Sequence, residues 1–322
     1  MKDLTILIHG PYFEFKEYNS NRNINILKKN FPNAKILIST WKNQNKFKPD
    51  TNDKIIYNED PGAVKDNYSG SSTNGSNILR QIISVKNGLG KVDTKFTLKI
   101  RSDCYFASNK ILKLDLEKYK YVNKFKIFKK RIITSSIGSL NQRNSNILYN
   151  YSDWFNLGLT NDLKKIWGNV KIDNDDINYF TRYSYKKKNF YGKDWDLKFT
   201  AEQFIYFKSI SKHVEKKILH AHDFSKSKLL AAENYLVNNY FLVDPDSIDF
   251  VFPKYDPKIN HNLKRNETNL RGKELIYLSY NQNDWLRLYC KSKKYYQFFI
   301  NLNKSYFLIK FKIKNLFYKY FN

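Results

Sequence analysis

The segment from Asn77 to Asp103 limits the fold more than any other part of the chain. It reads as a helix over about 77–88, a polar turn, a short strand over Phe96–Ile100, and a carboxylate, Asp103, just past the strand's end. A helix feeding an apolar strand is the repeating unit of an α/β sheet, and ligands of such sheets bind outside the carboxyl ends of the strands. An Asp at that position can hold a divalent cation or accept hydrogen bonds. Arg80, on the preceding helix, can neutralise phosphate charge.

The rest of the first half repeats the pattern. Leu4–Ile8 is a short apolar run stopped by His9-Gly10-Pro11, and reads as a buried strand. Ser20–Phe31 carries Ile24, Ile26, Leu27 and Phe31 and reads as a helix ended by Pro32. Lys35–Ser39 and Lys54–Tyr57 are further strands, with polar loops after each, and Tyr68–Gly75 is rich in Ser and Gly. The expected architecture is α/β, with a mixed, mostly parallel sheet flanked by helices.

The second half is less regular. Arg131–Ser135 reads as a strand, and Asp153-Trp154-Phe155 leads into a helix with Leu163, Ile166 and Trp167 on its apolar side. Thr181–Lys198 is a polar, Lys-rich loop. Ala201–Ser211 and Lys228–Val243 read as helices, the second closed by Asp244-Pro245. From Lys291 onward there are eight Lys and no acid, with Phe299, Leu302, Tyr306, Ile309, Ile313, Leu316 and Tyr320 on one helical face. Such a tail suits an anionic membrane surface; a helix packed on its own domain is the competing reading.

Composition narrows the function classes. Apolar residues make up 41 % of the 322 positions, enough for a core and too many for wholesale disorder. The formal charge of +27 favours anionic lipids, nucleic acids or phosphorylated substrates. Cys104 and Cys290 form no motif and read as two reduced thiols of a cytosolic protein. No signal peptide is visible, and no run approaches the about 20 apolar residues of a membrane span. A basic nucleic-acid-binding protein is one alternative, supported by 24 Phe and 25 Tyr able to stack on bases, but the cations are dispersed and no binding motif is present. A phosphosugar nucleotidyltransferase would need a glycine-rich loop after the first strand, and Gly10-Pro11-Tyr12 is a poor one.

Several residues stand where a ligand would. Asp103 reads as a metal or diphosphate ligand, or as the partner of Arg101; Arg101 in turn reads as a phosphate contact or as half of that pair. Arg80 is a phosphate ligand or a solvated helix residue, and Asn77 lies one helical turn earlier on the same face. Gly10 and Pro11 form a tight turn that lets backbone approach a base or ribose. Thr40 and Trp41 follow a strand, and Trp41 either stacks on a nucleobase or plugs the sheet edge. Asp60 accepts from a base or ribose, or opens the Pro61-Gly62 turn. In the second half, Trp154, beside Asp153, is a stacking platform for a sugar or a core residue. His220 and His222 would share one strand face if extended.

The chain resembles the WavE lipopolysaccharide-synthesis family, bacterial glycosyltransferases of the GT-A superfamily. The pieces that carry the likeness are Ile8-His9-Gly10-Pro11, the run Phe31–Trp41, Asp60-Pro61-Gly62, Asn77 with Arg80-Gln81, Gly88-Leu89 and Leu98–Asp103. Ser152-Asp153-Trp154-Phe155, Glu202-Gln203, Asn238-Asn239-Tyr240 and Phe252-Pro253-Lys254-Tyr255 continue it, so the likeness runs from about residue 4 to 255. It implies a GT-A-like, Rossmann-type domain over 1–255, with a nucleotide-sugar half (1–105), an acceptor half (106–255) and a basic aromatic region over 256–322.

The implied activity is transfer of a sugar from a nucleotide-sugar donor to lipopolysaccharide, lipooligosaccharide or capsule by direct displacement. Asp103 and Arg80 would manage phosphate charge, and Glu202 would be the base that deprotonates a glycolipid or oligosaccharide acceptor. A stabilised helix dipole is the other reading of Glu202. Gly10, Pro11, Thr40, Trp41, Asp60, Asn77, Arg80, Arg101 and Asp103 would bind the donor, and Asp153, Trp154 and Gln203 the acceptor. A divalent cation, Mn²⁺ or Mg²⁺, would sit on Asp103, with His222 as a late ligand. One departure matters: where the superfamily often has Asp-x-Asp, this chain has Arg101-Ser102-Asp103, with one carboxylate. The expected location is the cytoplasmic face of the bacterial inner membrane, with no nucleic-acid partner.

Overall fold

A computed structural model describes residues 3–64, 76–182, 197–253 and 278–294. Its centre is a sheet of seven strands: β1 (Leu4–His9), β2 (Lys35–Trp41), β3 (Lys54–Asn58), β4 (Phe96–Arg101), β5 (Ile132–Ser135), β6 (Phe155–Leu159) and β7 (Tyr240–Val243). Their order across the sheet is β7-β5-β6-β4-β1-β2-β3. All neighbours are parallel except β6, which runs antiparallel to both β4 and β5. The mixed, mostly parallel α/β reading of the sequence therefore holds. β1, β4, β5 and β7 are buried on both faces, as parallel strands covered by helices must be.

The helices that matter for position are α1 (Ser20–Asn30), α2 (Ile78–Gly90), α3 (Thr160–Gly168) and α4 (Lys226–Asn239). α1 starts where the Asn19 side chain accepts from Arg22 N, and α4 where Ser225 does the same for Lys228 N. α2 buries Ile78, Ile82, Val85 and Leu89 and lies very close to β1. A methyl group on Gly88 would fall 2.4 Å from Leu7 Cδ1, so glycine sets that approach.

Two elements depart from the sequence reading. Phe155–Leu159 is a strand, inserted between β4 and β5, where only a lead-in to a helix was expected. Lys228–Val243 is not one helix: it ends at Asn239, and Tyr240–Val243 pairs with β5. No Gly or Pro separates helix from strand there, so only the tertiary pairing ends the helix. Ala201–Ser211 is also remodelled, into a short turn Ala201–Gln203 followed by a π-helix, Phe204–Lys208.

The boundary drawn at 255 does not isolate everything beyond it. Tyr280, Trp285, Leu288 and Tyr289 join the main apolar core, and Trp285 Nε1 donates to Tyr240 O at 2.8 Å. The Ser/Gly-rich stretch Tyr68–Gly75, most of the Lys-rich loop before Lys198, and the basic tail from 295 lie outside the described residues.

Candidate active site

The order β3-β2-β1-β4 reverses the direction of chain progress beside β1, and such switch points open a crevice at the carboxyl ends of the strands. A cleft of about 460 Å³ occupies that place. Its walls come from the ends of β1 (His9, Gly10, Pro11), β2 (Trp41) and β4 (Arg101, Ser102, Asp103). Asp60, beyond β3, and Asn77, Arg80, Gln81 and Ser84 of α2 complete them. Residues 77, 80, 81 and 84 form one helical stripe that flanks the apolar face packed on the sheet, with Ser84 buried where the two meet.

Backbone geometry shapes the rim. Gly10 has φ +112°, a conformation that side chains disfavour, and a Cβ there would sit 3.2 Å from Ser102 Oγ. Ser102 ties the two strand ends together: its Oγ donates to Pro11 O at 2.6 Å and its N donates to His9 O at 2.9 Å.

Two guanidinium–carboxylate pairs face this cleft. Arg80 holds Asp60 in a fork, Nε to Oδ1 and Nη2 to Oδ2, both at 2.7 Å, and its Nη1 donates to Asn77 Oδ1 at 2.9 Å. Arg80 hydrogen bonding pulls the Asp60 carboxyl below its usual range. Asp60 also accepts from Gly62 N at 2.9 Å, so it both opens the turn and lines the cleft. Arg101 holds Asp103 in a second fork, at 3.0 and 2.7 Å, with Asp153 at 3.9 Å on its other side. Burial pushes the Asp103 carboxyl up, but Arg101 outweighs it and the net shift is downward.

Beyond Arg101 lies the other carboxylate the sequence marks out. Glu202 is half-buried in the turn after Thr200. Burial first, then the charge of Asp153, raise its pKa to about 7, against the pull of Arg101. Glu202 thus sits within electrostatic reach of Asp153 and Arg101, although it is not among the residues lining the cleft. Lys99, on the same strand face as Arg101, is buried over Trp167 and donates to Asp153 O. Burial brings its pKa down to about 7.

The structure brings Gly10, Pro11, Trp41, Asp60, Asn77, Arg80, Arg101 and Asp103 to one cleft. It corrects others. Thr40 is fully buried and does not line the cleft, because successive strand residues alternate faces and it points away from Trp41, which does. Gln203 is fully buried as a helix cap: Oε1 accepts from Thr200 N, and Nε2 donates to Leu148 O at 2.8 Å, leaving no face for an acceptor. Trp154 is 8 % exposed, edge-on to Phe252 and stacked with Phe250, so its core reading prevails. His220 and His222 lie in a turn rather than a strand, where His222 N donates to His220 Nδ1, and His222 does not line the cleft. The sequence reading gave no role to His9, Tyr12, Gln44 or Ser84, which also line it. The i, i+3, i+4, i+7 spacing of 77, 80, 81 and 84 was the available signal for Ser84.

Each oxygen of Asp103 accepts one hydrogen bond from Arg101, and among the described residues no group of three or more His, Cys, Asp or Glu is placed to hold a metal.

A family model described as WavE lipopolysaccharide synthesis matches residues 4–316, which extends past the residue 255 reached by the sequence motifs. No curated protein matches. Among solved structures, the chain is similar to an active-site mutant of LgtC, at 8 % identity and a TM-score of 0.34, covering 84 % of this chain and 95 % of that one. It is also similar to a putative glucose-1-phosphate thymidylyltransferase from Bacillus anthracis (14 %, TM-score 0.30, 56 % of this chain and 84 % of that one). A third is the glycosyltransferase GlyE of Streptococcus pneumoniae TIGR4 (10 %, TM-score 0.27, 64 % and 43 %). Scores this low carry no conclusion about fold or activity.

Proposed function

The chain belongs to the WavE lipopolysaccharide-synthesis family, and from that premise we propose that it is a glycosyltransferase acting through the switch-point cleft. The donor is a nucleotide-sugar and the acceptor a glycolipid or oligosaccharide of a bacterial surface glycan. The observation that supports this most is the convergence of Arg80, Arg101 and Asp103 on one cleft at the carboxyl ends of β1 and β4.

The chemistry follows from the groups. An acceptor hydroxyl oxygen attacks the anomeric carbon, the bond from that carbon to the diphosphate oxygen breaks, and the diphosphate leaves with the electron pair. Each guanidinium keeps N–H groups beyond those given to its carboxylate, and two fixed guanidiniums stabilise the developing charge without reorganising. Asp60 and Asp103 hold the two forks in orientation. Glu202, with its raised pKa, takes the proton of the attacking hydroxyl; a base titrating near the working pH combines availability with driving force. No step requires a cation.

The test is a thermal-shift and transfer panel of UDP-, GDP-, CMP- and dTDP-sugars, each with Mn²⁺ and with EDTA. One nucleotide class should raise Tm and support transfer, with EDTA leaving the rate within about twofold. Asp103→Asn should abolish transfer while still melting cooperatively, at a lower Tm because the Arg101 fork loses its charge partner. No shift with any donor would reject the activity, and full transfer by Asp103→Asn would reject the site. Loss of transfer in EDTA restored by Mn²⁺ would reject charge handling by arginine alone.

A further inference from the structure

Two residues that line the cleft, His9 and Gln81, each carry a buried side-chain atom with no hydrogen-bond partner among the described residues: His9 Nε2 and Gln81 Oε1. Buried polar atoms are nearly always satisfied, so a pair of orphans lining one cavity calls for a ligand. His9 is 3 % exposed and is the last residue of β1. Its Nδ1 lies 3.4 Å from Ser84 Oγ, and its ring stands 6.3 Å from that of Trp167.

The tautomer follows from Ser84. That hydroxyl has one hydrogen, and it goes to Arg80 O at 2.9 Å, shared with Gln81 O at 3.2 Å. Towards His9, Ser84 Oγ can therefore only accept. The ring proton sits on Nδ1, and Nε2 presents a lone pair. Burial, with the cations Lys99 and Arg101 nearby, opposes a second proton. Gln81 Oε1 is likewise an acceptor.

We propose that His9 Nε2 and Gln81 Oε1 form an acceptor-only edge that reads hydrogen-bond donors on the nucleoside of the bound nucleotide. The inference rests on the reading of this cleft as a nucleotide site. A nucleotide presents two chemistries: phosphate oxygens, which only accept, and base N–H or ribose O–H groups, which donate. Phosphate is repelled by lone pairs and suited to Arg80 and Arg101. The donors are what His9 and Gln81 lack, and a leaving group that offered only acceptors at this edge would leave both atoms stranded.

The experiment is calorimetric binding of UDP, GDP, dUDP and dGDP to the full chain and to its His9→Phe, His9→Asn and Gln81→Leu variants, with Tm recorded for each. His9→Phe should weaken the best-bound ribonucleotide at least tenfold, and His9→Asn, which keeps an acceptor, should recover most of that loss. If the source is the ribose 2′-hydroxyl, the deoxy compound binds wild type weakly and is indifferent to His9→Phe. If it is the base, both sugars lose equally. Should His9→Phe fail to fold, Gln81→Leu reads the same edge from the solvent-accessible helix. Wild-type affinity in both His9→Phe and Gln81→Leu would overturn the proposal while leaving the nucleotide reading intact. Absence of binding by wild type to all four, and to CMP and dTDP as well, would overturn both.

Discussion

Glu202 and the two arginine forks illustrate how the same residue types serve different ends in this protein. The Arg80–Asp60 pair is 34 % and 40 % exposed on its two side chains, and pairs that exposed add only about 0–1 kcal/mol to stability. Its rigidity is better explained by the orientation it imposes on the guanidinium than by any gain in folding. Glu202 is the reverse case. Its folded pKa of about 7 stands above the ordinary 4.5, so its contribution to stability is full below 4.5 and is lost as pH rises through about 7. Transfer should rise with pH through about 7. In Glu202→Gln that limb should vanish and the rate fall by about 10²–10⁴. The same variant should melt above wild type at pH 8 and close to it near pH 5. An unaltered pH profile in Glu202→Gln would remove it as the base.

At the level of elements, the junction of α4 and β7 has a structural task that its sequence does not advertise. Asn239, fully buried, accepts from Ile127 N at 2.7 Å and Phe128 N at 3.2 Å, and donates to Phe125 O at 2.7 Å. Asn238 accepts from Val122 N at 2.7 Å. The pair thus replaces a missing sheet or helix partner for the irregular segment 122–128. Stranding buried backbone groups costs about 1–3 kcal/mol each. Asn239→Ala should lower the urea midpoint by an amount equivalent to at least about 2 kcal/mol, with an unchanged slope. Turnover per folded molecule should stay at the wild-type value. A shift below about 0.5 kcal/mol would show that water replaces the side chain. α2 divides its labour differently: one face packs on β1 and β2, and the stripe through Asn77, Arg80, Gln81 and Ser84 belongs to the cleft.

For the whole molecule, charge is the dominant global property. At +27 the chain should be drawn to any anionic surface, and among the described residues no helix is long and apolar enough to cross a membrane. Charge of this size predicts association with an anionic lipid surface. In co-sedimentation, the protein should bind vesicles containing phosphatidylglycerol and not those of phosphatidylcholine alone. Binding should be lost when salt near 0.1 M is raised to about 1 M, where screening shortens the reach of charge to about 3 Å. Equal binding to both vesicle types would reject the electrostatic account.

The order of the apolar runs, the Gly10 turn and the Arg80-to-Asp103 segment were legible in the chain itself, because buried strands, φ-permissive glycines and strand-end carboxylates are local signals. Four things were not. Tyr240–Val243 became a strand only because β5 offered its edge, and β6 because a gap lay between β4 and β5. Gln203 left the site because its amide was needed to close a helix turn. His9 entered it because it ends β1 beside Ser84, a neighbour 75 positions away that meets its Nδ1 and leaves Nε2 without a partner. Local sequence set the elements and their ends. Long-range packing decided which polar groups are already satisfied and which still need a ligand.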